Sequence, residues 1–128
     1  MFDFNFDNRE KILHVKAIGV IDFPNYITGL HKLTNDSQLP GKLKILEDMR
    51  ELITHPDVRV ISDMSEGLNT ATSRFTRIRH ALVMDNPAYT AFALILKARL
   101  NHESYTMNVF STTEAAYNWL KDDPGFDI

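Results

Sequence analysis

The sequence predicts an α/β fold, a single domain over residues 1–128 with a mixed, mostly parallel five-stranded sheet and four helices in the order β-β-α-β-α-β-α-β-α. Three observations predict it. Apolar residues alternate with period two near both ends of the chain, at Phe2, Phe4 and Phe6 and again in YTMNVF. Between them, apolar residues recur at steps of three and four. Strand-like and helix-like patterns also succeed one another in turn, which implies parallel pairing through right-handed crossovers.

Phe2, Phe4 and Phe6 give a strand with one apolar face, Asp7-Asn8-Arg9-Glu10 a turn, and ILHVKAIGVI the second arm of a hairpin, with Gly19 at a bend or bulge. Asp22 is the N-cap of a first helix that tolerates Pro24 in its first turn. Its core face is Phe23, Tyr26, Ile27, Leu30 and Leu33. Pro40-Gly41 turns the chain into the inner strand KLKILEDM. Ile61, Met64, Leu68, Ala71, Phe75 and Ile78 keep helical spacing, and Thr54 precedes Asp57 by three residues as a cap would. A second helix is therefore expected from His55 to Ile78, irregular near Gly67.

HALVMD is the next strand, and Asn86-Pro87 starts a third helix that runs to Leu100. On that helix Ala88, Ala91, Phe92, Ile95 and Leu96 are assigned to the core, and Thr90, Lys97 and Asn101 to a polar stripe. Leu94 falls beside the stripe; with Ala93 and Ala98 it marks a contact surface, or it is a single exposed leucine. After YTMNVF, Ser111 stands three residues before Glu114, the spacing of a capping box. Ala115, Ala116, Trp119 and Leu120 then form an apolar face, closed by Lys121-Asp122-Asp123-Pro124.

Composition removes several functions. No cysteine is present, which excludes disulfides, thiolate nucleophiles and cysteine-bound metals. A formal charge of −3 argues against nucleic acid as the main partner. Neither a signal peptide nor an apolar run of about 20 residues is apparent, so a cytoplasmic protein with no membrane partner is expected. His14, His31, His55, His80 and His102 lack metal-site spacing, and no cofactor is expected. Arg74, Arg77, Arg79 and His80 read as cations at the C-terminus of the second helix. Glu47 and Asp48 are neighbours on a strand and point to opposite faces. Asp48, near the strand's end, is taken as the buried or site-facing acid.

The segments KILEDM, HALVMDNPAYTAFALIL and VFSTTEAAYNWL resemble uncharacterised bacterial proteins of the SpoIIAA-like (STAS-type) superfamily, small domains of the anti-sigma factor antagonist kind. The resemblance covers nearly the whole chain in element order. It implies a non-enzymatic domain acting by protein–protein association, with an unidentified protein or a second copy as partner and a possible regulatory role. Because such folds are similar to the core of lipid-binding domains, it also implies an alternative, a carrier or sensor of an apolar small molecule. Regulatory members carry an Asp-Ser-Ser/Thr-Gly phosphorylation motif after the third strand. Here DMRELITHPDV stands in that place, with Thr54 the nearest hydroxyl and Asp57 beside it, and the motif is absent.

Overall fold

The computed structural model describes residues 1–36, 38–100, 104–123 and 126. The expectations placed on Asn101, His102 and Pro124 lie outside the described residues. The elements are β1 (Phe2–Asp7), β2 (Ile12–Val20), α1 (Phe23–Thr34), β3 (Lys42–Ile53), a 3₁₀ turn (Val58–Val60), α2 (Ile61–Ala71), β4 (Arg77–Val83), α3 (Pro87–Arg99), β5 (Tyr105–Phe110) and α4 (Thr113–Lys121). The strands lie side by side in sequence order. β1 and β2 are antiparallel, and the other pairs are parallel. This is the mixed, mostly parallel sheet that the sequence predicts.

The hairpin turn is held by the Asp7 carboxylate, which accepts from the N–H groups of Arg9 and Glu10 at 2.9 and 3.1 Å. Asp22 caps α1 by accepting from the N–H of Asn25, and Asn86 caps α3 by accepting from Ala88 and Tyr89. α1, α2 and α3 cover one face of the sheet, where Leu13, Ile45, Leu68, Ile78 and Leu96 belong to the main core. α4 covers the other face, over Ile12, Leu46, Ala81 and Val83.

Four sequence expectations are corrected. The second helix spans Ile61–Ala71 only, because β3 runs on to Ile53 and β4 begins at Arg77. Phe75 and Ile78 continue the helical spacing because both are buried, one in a loop and one on a strand. Thr54 does not cap that helix: Asp57 caps the 3₁₀ turn through the N–H of Arg59, and α2 has Val60 at its N-cap position and no side-chain cap. α4 is capped by Thr112, whose hydroxyl accepts from the N–H of Ala115 at 3.2 Å, and Ser111 lies outside the helix. The buried residues of α3 are Phe92, Ala93 and Leu96, whereas Ala88, Ala91 and Ile95 are not part of the core. α3 is apolar nearly all the way round, so its polar residues are too few to fix its rotation.

One irregularity sets the direction of side chains at the end of β3. Lys16 pairs with Asp48, but Ile18 pairs with Glu51, so β3 carries one extra residue opposite β2. Met49 and Leu52 are three apart and would face opposite sides of a regular strand. The bulge turns both into the core beneath the helices.

Candidate functional site

Strand alternation carries Glu47 of β3 and His80 of β4 to the face covered by α1, α2 and α3, where a carboxylate is costly unless fully bonded. Both are buried, at 3% and 1% exposure. His80 Nε2 lies 2.8 Å from Glu47 Oε1, and His80 Nδ1 lies 2.5 Å from the Tyr105 hydroxyl. From α1, the Tyr26 hydroxyl reaches the two Glu47 oxygens at 3.0 and 2.8 Å. These contacts are satisfied when Tyr26 O–H and His80 Nε2–H donate to Glu47 and Tyr105 O–H donates to Nδ1. Burial, and then the charge of Glu47, pushes both tyrosine hydroxyls above their ordinary range. Among the described residues, no buried side-chain nitrogen or oxygen is left without a partner.

Beside this cluster lies a cavity of about 50 Å³, between the sheet and α1, α2 and α3. His80 and Tyr26 stand in its wall, and the rest is carbon and sulfur almost throughout. Met49 and Leu52 of β3, Leu82 of β4 and Met84 just beyond it line the cavity at the carboxyl ends of the central strands. Its rim includes Thr54, Pro56 and Tyr89. The Tyr89 hydroxyl accepts from the N–H of Thr54 and donates to its carbonyl, both at 2.9 Å, which ties the end of β3 to the first turn of α3. Phe23 and Phe92 stack at 5.0 Å between α1 and α3.

The residues singled out in the sequence are dispersed. Asp48 is not the inward acid. It lies on the other face, gripped by Arg50 through contacts of 2.9 and 2.7 Å, and the guanidinium holds its carboxyl below the usual range. Asp57 is paired with Arg59. Thr54 reaches the cavity rim, and Leu94 is exposed on the outer side of α3. The basic run is also divided. Arg74 donates to the carbonyls of Thr34 and Asp36 at the end of α1, while Arg77 and Arg79 pair with Asp123 under α4. His80 points to the opposite face, into the cluster. Among the described residues, no three His, Cys, Asp or Glu side chains converge as a metal site, and no helix is long and apolar enough to cross a membrane.

Sequence reasoning misses the Glu47–His80–Tyr26–Tyr105 cluster. The signal that could find it is a polar side chain at an inward position of each central strand, with a tyrosine on the apolar face of α1.

No family model matches the chain, and no curated protein matches it. Among solved structures, it is similar to an uncharacterised protein of the DUF3478 family with a SpoIIAA-like fold from Shewanella loihica PV-4. The identity is 17% and the TM-score 0.59, over 94% of this chain and 92% of that one. It is likewise similar to an anti-sigma factor antagonist from Mycobacterium paratuberculosis, with 16% identity, a TM-score of 0.58, and coverage of 95% and 96%. At such identities the likeness is one of fold. The chain is an α/β domain of SpoIIAA-like architecture.

Proposed function

We propose that this protein is a non-enzymatic, regulatory SpoIIAA-like domain that works in the cytoplasm by protein–protein association. The observation that carries the reading is the outer surface of α3. Ala91, Leu94, Ile95 and Ala98 are all exposed, with Leu94 at 48% and Ile95 at 44%. Their spacing puts them in one stripe, opposite the buried Phe92, Ala93 and Leu96. A helix covering a sheet usually turns polar residues to water, and an apolar stripe there suits a partner surface. The alanines let another helix approach closely, so the partner expected is a protein presenting an apolar helix. The likeness to an anti-sigma factor antagonist points the same way. The absence of catalysis is part of the proposal, and it is supported by the engagement of both His80 nitrogens in buried bonds.

A photo-crosslinking residue placed at Leu94, compared in cells with one at Asn69 on the exposed side of α2, tests the reading. A discrete adduct from position 94 alone, lost on Ala91→Asp, is expected. Sedimentation of the purified protein shows whether the partner is a second copy. Equal, diffuse labelling from both positions, with an unchanged sedimenting mass, would remove the proposal.

A further inference from the structure

We infer that the cavity beneath α1, α2 and α3 is a binding site for a flexible aliphatic molecule, such as a medium-length alkyl chain. This site is separate from the outer stripe of α3 and does not depend on it. The sequence contains five methionines. Met1 begins the chain, and the other four, Met49, Met64, Met84 and Met107, all line this one cavity. They arrive from β3, α2, the end of β4 and β5, so no local sequence pattern explains their convergence.

Cores made for packing alone favour side chains with well-defined rotamers, and methionine specifies shape poorly. Its unbranched thioether is the side chain that surfaces use when they must fit varied apolar partners. The present volume of about 50 Å³ is a third of the ~150 Å³ cavity known to hold benzene. A rigid lining would therefore exclude most organic molecules. Four methionines can swing aside and let the cavity lengthen.

The wall also fixes the chemistry of the occupant. His80 and Tyr26 border the space, but their polar atoms are spent on Glu47 and Tyr105. No proton donor is left on them for a polar group at the inner end, and the rest of the wall is carbon and sulfur almost throughout, so the occupant expected there is hydrocarbon. A planar ring would need a preformed slot, whereas an alkyl chain can thread between the sulfurs. The cavity lies at the carboxyl ends of the strands, where open α/β sheets take ligands. At its rim, Thr54 and Pro56 face Tyr89 across the clasp between the end of β3 and α3. A charged end group could remain in water there.

The test uses the whole protein with ¹³C at the methionine ε-methyl groups, titrated with 1-octanol, octanoate and naphthalene. Saturable shifts of the four internal methyl signals by octanol or octanoate, with the Met1 signal unmoved, are expected. Binding of both would place the octanoate carboxylate in the mouth, and binding of octanol alone would mean full enclosure; either supports the site. Ala93→Leu, which fills the cavity from α3, should abolish the shifts. Should that variant not fold, Met64→Leu/Met107→Leu keeps the volume, stiffens the wall and should weaken octanol binding several-fold. Internal methyl signals that stay in place, or that move together with Met1, would overturn the site. Tighter binding of naphthalene than of octanol would overturn the aliphatic assignment.

Discussion

Glu47 and His80 meet across two adjacent parallel strands, Oε1 to Nε2 at 2.8 Å, in a core otherwise made largely of hydrocarbon. Tyr26 and Tyr105 complete their bonding from α1 and β5, so one carboxylate and one imidazole join four elements.

Removing either partner strands the others. Glu47→Ala leaves the Tyr26 hydroxyl and His80 Nε2 without their acceptor, and should cost about 2–6 kcal/mol, roughly 1–3 kcal/mol for each buried polar group left unpaired. His80→Ala should cost a similar amount. In the double variant the losses should fall well short of their sum, because each single change already disrupts the same network. Denaturant midpoints of the three variants measure this. Additive losses would mean that the two residues contribute independently.

The same cluster predicts an alkaline signature. Tyr26 and Tyr105 have hydroxyl pKa values raised by burial, with the charge of Glu47 adding to the effect. A raised folded-state pKa gives stability that is complete below the unfolded value, about 10 for tyrosine. That stability is lost as pH climbs from there toward the folded value, because only the unfolded chain releases the proton. Each buried tyrosine should thus lower stability by roughly 1.4 kcal/mol per pH unit in that range. Of the four tyrosines, these two should ionise together with loss of circular dichroism. Absorbance near 295 nm that completes its rise while the dichroism stays native would contradict it.

How far the sequence reveals this molecule depends on whether a signal is local. Asp22 and Asn86 are legible as caps because the capping oxygen and the nearby proline both lie within one turn. The order of strands and helices is legible because periodicity is local too. The end of α2 is not, since Phe75 and Ile78 are buried by other elements and only imitate its spacing. Glu47 and Asp48 look alike in sequence, and nothing local says which faces the helices. The Glu47–His80 pair is 33 residues apart and the methionines come from four places, so both are properties of the fold.

The capping correction has a direct test. Thr112→Ala should lower stability by about 1 kcal/mol through loss of the bond to the Ala115 N–H. Ser111→Ala, one residue outside the helix boundary, should change the denaturant midpoint little. The reverse ranking would restore Ser111 as the cap.

Gly29 tests the seam between α1 and β1. A Cβ added there would lie 2.6 and 2.7 Å from two ring carbons of Phe2. Alanine improves helix propensity by about 1 kcal/mol, but the ring sits against the core and against Tyr26, 5.5 Å away edge-on. Overpacking of this kind costs about 1–3 kcal/mol. Gly29→Ala should therefore destabilise on balance, and Phe2→Leu in the same chain should recover part of the loss. A raised melting temperature for Gly29→Ala alone would show that Phe2 can move freely.

Thr54 is the remaining candidate for a phosphorylation switch, and its surroundings argue against one. A phosphate at a helix N-terminus would be favoured by the dipole, but Thr54 comes directly after β3 and stands well before Ile61, where α2 starts. Its N–H and carbonyl are both held by Tyr89, and it lines an apolar cavity. A kinase would have to pull this backbone away from Tyr89 before reaching the hydroxyl. The product would carry about two negative charges beside that cavity and close in sequence to Asp57. Thr54→Glu should therefore destabilise the fold, and phosphoproteomics of the native host should find no regulatory occupancy at Thr54. Tyr89→Phe should accelerate hydrogen exchange of the Thr54 amide by about thirtyfold, the loss of two bonds worth roughly 1 kcal/mol each. Amides in the middle of β3, such as that of Leu46, should keep their rates. Unchanged exchange at Thr54, together with substantial phosphate occupancy, would show that the clasp does not guard this residue.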